Sequence, residues 1–325
     1  MNSEAVLAGA APAKSGVGPW GDHLFRFLLA AAALMVLLLL GGAGLAIFWG
    51  GLPAFVHFGP GFLASLAWDP VRHDFGALVP IYGTFMTSAI AMVTAVPVSF
   101  GIALFLTEVA PAWLRAPIGA AIELLAGIPS IIYGMWGLFV FAPFMADHVE
   151  PWLTALFGPL PLFGVLFDGP PLGIGMLTAG LILGIMVVPF ISSVMRDVFR
   201  LVPQALRESA LGLGATRWEL VWLVVLPHTR SAVMGGIFLG LGRALGETMA
   251  VTFVLGNAHD FSPSLLMPST SIAAAIANEF TEADSDMYRA SLIALGFLLF
   301  AITFVVLALA KLLLARLGGS GEGRR

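Results

Sequence analysis

The chain has 325 residues, of which 59% are hydrophobic and only 10% carry a charged side chain. Soluble globular domains have a charged fraction of about one quarter, so the composition excludes that class and indicates an integral membrane protein. The absence of cysteine excludes disulfides, thiolate metal sites and cysteine nucleophiles. The six histidines show no HxxxH or HExxH spacing, so neither a metal site nor a cofactor is predicted. The net charge of −4 says little about a partner, and no nucleic-acid partner is expected.

Six apolar runs are long enough to cross about 30 Å of hydrocarbon. They predict an all-α membrane domain over residues 26–316, between a disordered cytoplasmic tail at 1–25 and a second cytoplasmic tail at 317–325. The first run is too long for a signal-peptide core, so we expect it to remain as an anchor. The segments 142–172 and 256–289 hold apolar pieces that could form short re-entrant or interfacial helices. The predicted spans are 27–49, 78–106, 118–141, 173–195, 231–255 and 291–314.

Lysine and arginine are concentrated on one predicted side of these spans. The opposite loops hold only the basic residues Arg72 and Arg289, and the second and third of these loops contain eight acidic residues. Because positive charges near span ends stay on the cytoplasmic side, both termini and the segment 196–230 are predicted to be cytoplasmic, in a multi-pass protein of the bacterial inner membrane. The residues that set this orientation are Lys14, Arg26, Arg115, Arg196, Arg200, Arg207, Arg217, Arg230, Lys311, Arg316, Arg324 and Arg325.

The segment 196–230 interrupts the apolar pattern with a polar, arginine-bearing stretch. Gly212 and Gly214 favour a sharp turn between one short helix that ends near Leu213 and another that starts near Thr216. A polar hairpin between two spans must lie at the bilayer surface, where a partner can contact it from the water. Without a partner, the same pattern would be a simple interfacial amphipathic hairpin.

Seven positions of this segment have a recognisable spacing: Glu208-Ser209-Ala210, three residues, Gly214, nine residues, Val224, one residue, then Leu226-Pro227. The spacing resembles the EAA loop of ABC-importer membrane subunits, which docks into a groove of the ATPase. Ser209 stands where that family usually has alanine, and Val224 where it often has isoleucine. The resemblance implies that the ATPase is contacted by Glu208, Ser209, Ala210, Gly214, Leu226 and Pro227. We refer to 196–230 as the EAA-like loop.

The fifth predicted span carries two charges, Arg243 near its middle and Glu247 one helical turn further. A charge at this depth costs at least about 2.5 to 3.5 kcal/mol, so both side chains should face the bundle interior or a water-filled path. At i, i+4 they could form a neutralised pair that fixes the rotation of the helix. Alternatively, the guanidinium of Arg243 could bind an oxyanion on a transport path, with Glu247 holding it between transport events. The sequence leaves both alternatives open.

Four further stretches resemble the PstC-type permease family of phosphate-specific ABC importers. The resemblance implies a type I, MetI-like bundle of six membrane helices, which pairs with a second, PstA-like permease. It also implies two copies of a PstB-like ATPase, a periplasmic PstS-like phosphate-binding protein and inorganic phosphate as the substrate. The family's charged transport residues correspond to Arg243 and Glu247. The stretches are PVSFGIALFLTEVAP at 97–111, ELLAGIPSIIYGMWGLFVF at 123–141, LGRALGETMAVTFVLGN at 241–257 and SIAAAIANEFTEA at 271–283.

The chain contains no GxxxxGK[ST] motif, so it cannot bind ATP phosphates by that route and is predicted to be a transport subunit and not an enzyme. A permease for sulfate or molybdate is the alternative within the same class. A secondary transporter coupled to protons through Glu247 would need an internal repeat, which we do not find. A membrane enzyme would have Glu108, Glu123 and His148 as candidates, but they lie near span ends without catalytic spacing.

Overall fold

In the part of the chain that the structure describes, the regular elements are helices apart from one short hairpin. The computed structural model describes residues 19–161 and 163–318. Within these ranges, six helices are long and apolar enough to cross a membrane, and we number them spans 1 to 6. Between and beside them lie several short helices. Spans 1 to 6 are Trp20–Phe58, Leu78–Val109, Ser130–Phe157, Met176–Arg200, Arg217–Leu245 and Asp286–Arg316.

The two predicted tails lie mostly outside the described residues, which exclude 1–18 and 319–325. The first helix begins at Pro19, inside the segment predicted as a tail at 1–25. The last helix extends to Gly318, past the predicted boundary at 316. Proline is favoured at the first turn of a helix, as at Pro19, and the glycine pair that begins at Gly318 is a typical helix stop signal.

The third span differs from the prediction of 118–141. The structure places a separate helix at Ala112–Ala126, here called the linker helix, and begins span 3 at Ser130. Gly127 caps the linker helix and Pro129, in an extended conformation, precedes span 3, so the chain breaks inside the predicted span. Span 3 then continues to Phe157 with two π-helical turns, Gly137–Phe141 and Met145–Val149. Half of the uncertain segment 142–172 is therefore membrane helix.

The fifth span also differs from the prediction of 231–255. Its helix begins at Arg217, within the EAA-like loop, and ends at Leu245. Gly246 leaves helical geometry, and a single further turn follows at Met249–Thr252. The next residues form a loop in which Gly256 has a φ of +93° and pairs with Ser269. A helix Ile272–Glu279 precedes span 6.

Span 4 is the central helix of the bundle. Its most apolar window is 61% buried, whereas no other span exceeds 33%. Glycine lets span 4 approach span 2 closely. A Cβ added at Gly180 would lie only 2.6 Å from Ile90 Cβ, which is closer than real side chains come. The core lies in the second of two units, Ile47–Arg325, whereas the first, Met1–Ala46, contributes the beginning of span 1.

A second buried hydrophobic cluster surrounds a short hairpin that precedes span 2. The two strands of this hairpin, Trp68–Asp69 and Asp74–Phe75, pair antiparallel. Phe75 is fully buried and stacks on Tyr288 at 5.1 Å between ring centroids. Glu279 joins the same cluster through Trp68 and Tyr288. The cluster lies at the start of span 2, and the EAA-like loop contacts the opposite end of that span at Glu108.

Candidate coupling loop and anion path

Between the end of span 4 and the start of span 5, the EAA-like loop forms the helix Gln204–Gly212, which we call the loop helix. It is followed by Gly214, whose φ of +89° is readily available only to glycine. Ala215 N–H donates to the Ala210 carbonyl at 3.1 Å and closes the turn. Thr216 then caps span 5 through a capping box with Glu219. The structure thus has the predicted helix, turn and helix, although Gly212 remains helical and only Gly214 provides the turn.

The residues of the predicted contact surface are mostly accessible. Glu208, Ser209, Gly214 and Pro227 are exposed, whereas Ala210 and Leu226 are half-buried. Leu213, which the sequence motif does not include, is 90% exposed at the tip of the turn. The described residues leave this apolar side chain almost uncovered, and exposed apolar groups beside polar ones are typical of a protein contact surface. The tip of the loop therefore has the character of a protein contact surface.

Glu108 fixes the loop to the end of span 2. Its carboxylate forms an ion pair with Arg207 of the loop helix, and their side chains are 6% and 17% exposed, respectively. Its carbonyl oxygen accepts a hydrogen bond from Arg217 Nη1 at 2.9 Å. Arg207 also donates to the Phe199 carbonyl at the end of span 4. One residue of span 2 thus contacts both sides of the turn.

A second ion pair fixes the linker helix to span 4. Arg196 Nη2 lies 2.7 Å from Glu123 Oε1, and Arg196 Nε lies 3.4 Å from Asp197. The Arg196 side chain is only 9% exposed, whereas Glu123 is 60% exposed. Glu108 and Glu123, which were candidates for an enzyme site, therefore bind arginines on different elements. The structure does not bring them together with His148 into a hydrogen-bonded group.

Arg243 and Glu247 do not form the i, i+4 helical pair that the sequence suggested, because span 5 ends at Leu245. Among the described residues, no salt bridge joins them, and Glu247 Oε1 instead accepts from Ala250 N–H at 3.4 Å. Arg243 lies in the last turn of span 5 with an exposed side chain. Its guanidinium carbon is 5.8 Å from the ring centroid of Phe190, at the outer limit of a cation–π contact. No ion pair with another described residue neutralises its charge.

Comparison with known sequences identifies the family. A family model described as the binding-protein-dependent transport system inner membrane component matches residues 95–319. A phosphate transport system permease protein PstC of Xylella fastidiosa is 62% identical over 91% of this chain and 91% of that protein. The corresponding protein of Pasteurella multocida is 56% identical over 94% of each. A probable PstC of Methanocaldococcus jannaschii is 37% identical over 80% of this chain and 82% of that protein.

Comparison with solved structures identifies the fold. A chain of a bacterial ABC transporter that imports the polysaccharide alginate has a TM-score of 0.59 at 18% identity, covering 91% of this chain and 98% of that chain. A chain of the methionine ABC transporter MetNI, in an inward-facing conformation, has a TM-score of 0.54 at 15% identity, covering 77% and 99%. At these identities the likeness concerns the fold alone. The predicted six-helix, MetI-like permease fold is confirmed.

Proposed function

The chain belongs to the family of binding-protein-dependent transport system inner membrane components, and from this membership we propose that it translocates inorganic phosphate as one membrane subunit of an ATP-driven importer. The observation that carries the choice of substrate is the 62% identity, over 91% of both chains, to a phosphate transport permease. Chemistry agrees with it, because a guanidinium provides a planar fork that matches phosphate oxygens.

The chain acts as part of a complex whose other subunits supply the rest of the path, the ATP hydrolysis and the delivery of the substrate. A second, PstA-like permease completes the path, two copies of a PstB-like ATPase bind the EAA-like loop from the cytoplasm, and a periplasmic PstS-like protein delivers phosphate. Contact with the ATPase is made by the exposed part of the loop, in which Glu208, Ser209 and Gly214 are accessible. Ala210, Leu226 and Pro227 complete the motif. The loop side, with both termini, faces the cytoplasm, as the distribution of lysine and arginine indicates.

Movement of the loop reaches the anion path through span 5. Arg217 lies at the loop end of this helix, and Arg243 lies in its last turn. A force applied to the loop by the ATPase therefore acts on one helix that carries the guanidinium. The ion pair between Glu108 and Arg207 makes span 2 move with the loop. Spans 2 and 5 then move together when the ATPase moves the EAA-like loop, and this movement opens the path to one side of the membrane or the other.

Arg243 is the residue that we propose to contact the anion, with Glu247 beside it on the path. Replacing Arg243 by glutamine removes charge-assisted hydrogen bonds worth about 1.5–3 kcal/mol, so phosphate uptake should fall about tenfold or more. The measurement is ATP-driven uptake of labelled phosphate in proteoliposomes, with Arg72→Gln as the control because Arg72 is exposed on the opposite loop. Glu247→Gln tests whether the carboxylate sets the rate. Wild-type uptake by both Arg243→Gln and Glu247→Gln would refute this path.

Competition separates phosphate from the alternative anions of the same class. Unlabelled phosphate should abolish uptake of the label, whereas sulfate and molybdate at the same concentration should leave it unchanged. Inhibition by sulfate or molybdate as strong as that by phosphate would assign the chain to another oxyanion.

A further inference from the structure

A cavity of about 600 Å³ opens between the end of span 2, the end of span 4 and the loop helix. Its volume lies within the range typical of small-molecule binding sites. Four arginines and two glutamates line it, so the charged groups of the wall sum to +2. These charged residues are Arg115, Arg200, Arg207, Arg217, Glu108 and Glu208.

The charges of the wall are unequally neutralised. Arg207 and Glu108 neutralise each other in the ion pair described above. Glu208 accepts a hydrogen bond from Gln204 and is exposed to water. The remaining positive charge is +3, which the exposed Glu208 reduces to +2. It belongs to Arg115, Arg200 and Arg217, which come from three different elements: the linker helix, span 4 and span 5.

Each of these three arginines keeps hydrogen-bond donors for a ligand. Arg115 uses its Nε for the Ala110 carbonyl at 2.7 Å, which leaves its two terminal amino groups available. Arg217 uses Nη1 for the Glu108 carbonyl at 2.9 Å. Arg200 forms no hydrogen bond or ion pair with any described residue. Three like charges in one concavity repel each other, and the concave wall strengthens their field, so an anion would stabilise this arrangement.

We propose that this cavity binds a phosphate-type oxyanion between the linker helix and the EAA-like loop, separately from Arg243. Arginine forks match phosphate oxygens, and a basic pocket at the cytoplasmic end of membrane helices is suited to an anionic lipid headgroup. The rim fits an amphiphile, since Leu201 and Leu211 line the cavity and are 72% and 46% exposed. Cytoplasmic inorganic phosphate has the same chemistry, so the lipid headgroup and the free ion are the two possible sources. The placement on the cytoplasmic side rests on the proposed function.

Binding is measured without ATP, on the full-length chain in nanodiscs, so the result does not depend on transport. One arm uses nanodiscs that contain phosphatidylglycerol and no free phosphate, and counts retained lipid by native mass spectrometry. The other uses phosphatidylcholine alone and measures equilibrium binding of radiolabelled inorganic phosphate. Binding in the first arm assigns the headgroup, and binding in the second assigns the free ion.

The double variant Arg115→Gln/Arg200→Gln should weaken binding about tenfold or more in the arm that shows it. Arg115→Lys/Arg200→Lys keeps the charge and should remain closer to the wild type. Arg72→Gln, on the opposite loop, is the matched control and should have no effect. Equal binding by the wild type and the glutamine variant in both arms, or no binding in either, would overturn the proposal.

The salt dependence of the wild type provides a second test if the glutamine variant does not fold. Attraction between exposed charges is screened over about 10 Å at 0.1 M salt, so binding should weaken steeply as sodium chloride is raised. Salt-independent binding would overturn the proposal, whatever the behaviour of the variants.

Discussion

Glu108 shows how a single residue can connect a membrane span to a surface loop. Its carboxylate binds Arg207 before the turn, and its carbonyl accepts from Arg217 after it. The partners are 99 and 109 positions away in sequence. No local pattern connects residues so far apart, and the TEVAP sequence around Glu108 only marks the end of a span. The motif residues Glu208 and Gly214 could be found from spacing, whereas this anchor required the fold.

Removal of one member of the pair leaves a buried charge without its partner. We expect Glu108→Gln or Arg207→Gln to destabilise the protein by about 3 kcal/mol, because such charges lose solvation without compensation. The double variant should be less destabilised than the sum of the two single variants, since neither charge then remains alone. Thermal unfolding in detergent gives all three values.

The surface pair Arg72 and Asp69 is the control for this cycle. Their side chains are 85% and 40% exposed, so Arg72→Gln should change stability by no more than about 1 kcal/mol. Additive effects of the two substitutions at Glu108 and Arg207 would mean that the ion pair does not hold the loop.

At the scale of elements, the sequence predicts helices well where an apolar run ends at a clear signal. The positions of spans 2, 4 and 6 agree with the apolar runs to within a few residues at most ends. The apolar run 118–141 contains a helix break that hydropathy does not reveal, because the two helices that Gly127 and Pro129 separate are both apolar. Hydropathy also does not reveal where span 5 ends, since the residues after Gly246 remain apolar although they are no longer part of the helix.

Substituting Gly214 and Gly212 in turn distinguishes the effect of backbone strain from the effect of side-chain packing within one loop. A Cβ at either position would meet no atom within 4 Å, but only Gly214 has a positive φ. Gly214→Ala should therefore cost about 1–2 kcal/mol and reduce ATP-driven uptake, because it strains the turn that presents the loop. Gly212→Ala should be neutral or stabilising, since it lies in a helix.

Uptake and thermal stability of the two alanine variants should be measured in parallel. If Gly212→Ala impairs uptake as much as Gly214→Ala does, the loss reflects a contact surface and not the conformation of the turn.

At the scale of the whole molecule, the end of span 2 opposite the loop is held by a carboxylate. Glu279 accepts from Trp68 Nε1 at 2.7 Å and from Tyr288 at 2.6 Å, and lies 2.6 Å from His259 Nε2. These groups come from the hairpin, span 6 and the loop after span 5. A single carboxylate thus connects three elements that are distant in sequence.

Acid should loosen this cluster. Burial alone would raise the pKa of Glu279, but the hydrogen bonds from His259, Tyr288 and Trp68 outweigh it and hold the pKa below the ordinary value of 4.5. A lowered pKa in the folded state means that the stabilisation is complete above 4.5 and is lost as the pH falls through the folded value. Between about pH 6 and about pH 3, wild-type thermal stability should therefore fall more than that of Glu279→Gln. Parallel curves for the two proteins would contradict this role.

The claim that this chain is moved from outside through its EAA-like loop is tested most directly by ATP-driven uptake of labelled phosphate. The assay uses proteoliposomes that contain this chain, the second permease, the ATPase and the binding protein. Leu213→Asp places a charge on a side chain that is 90% exposed, and Val71→Asp does the same on one that is 89% exposed in the opposite loop. We predict that Leu213→Asp lowers uptake at least about tenfold, while Val71→Asp leaves the ATPase attached and uptake less affected. Full uptake by Leu213→Asp, or uptake without any ATPase, would contradict the account.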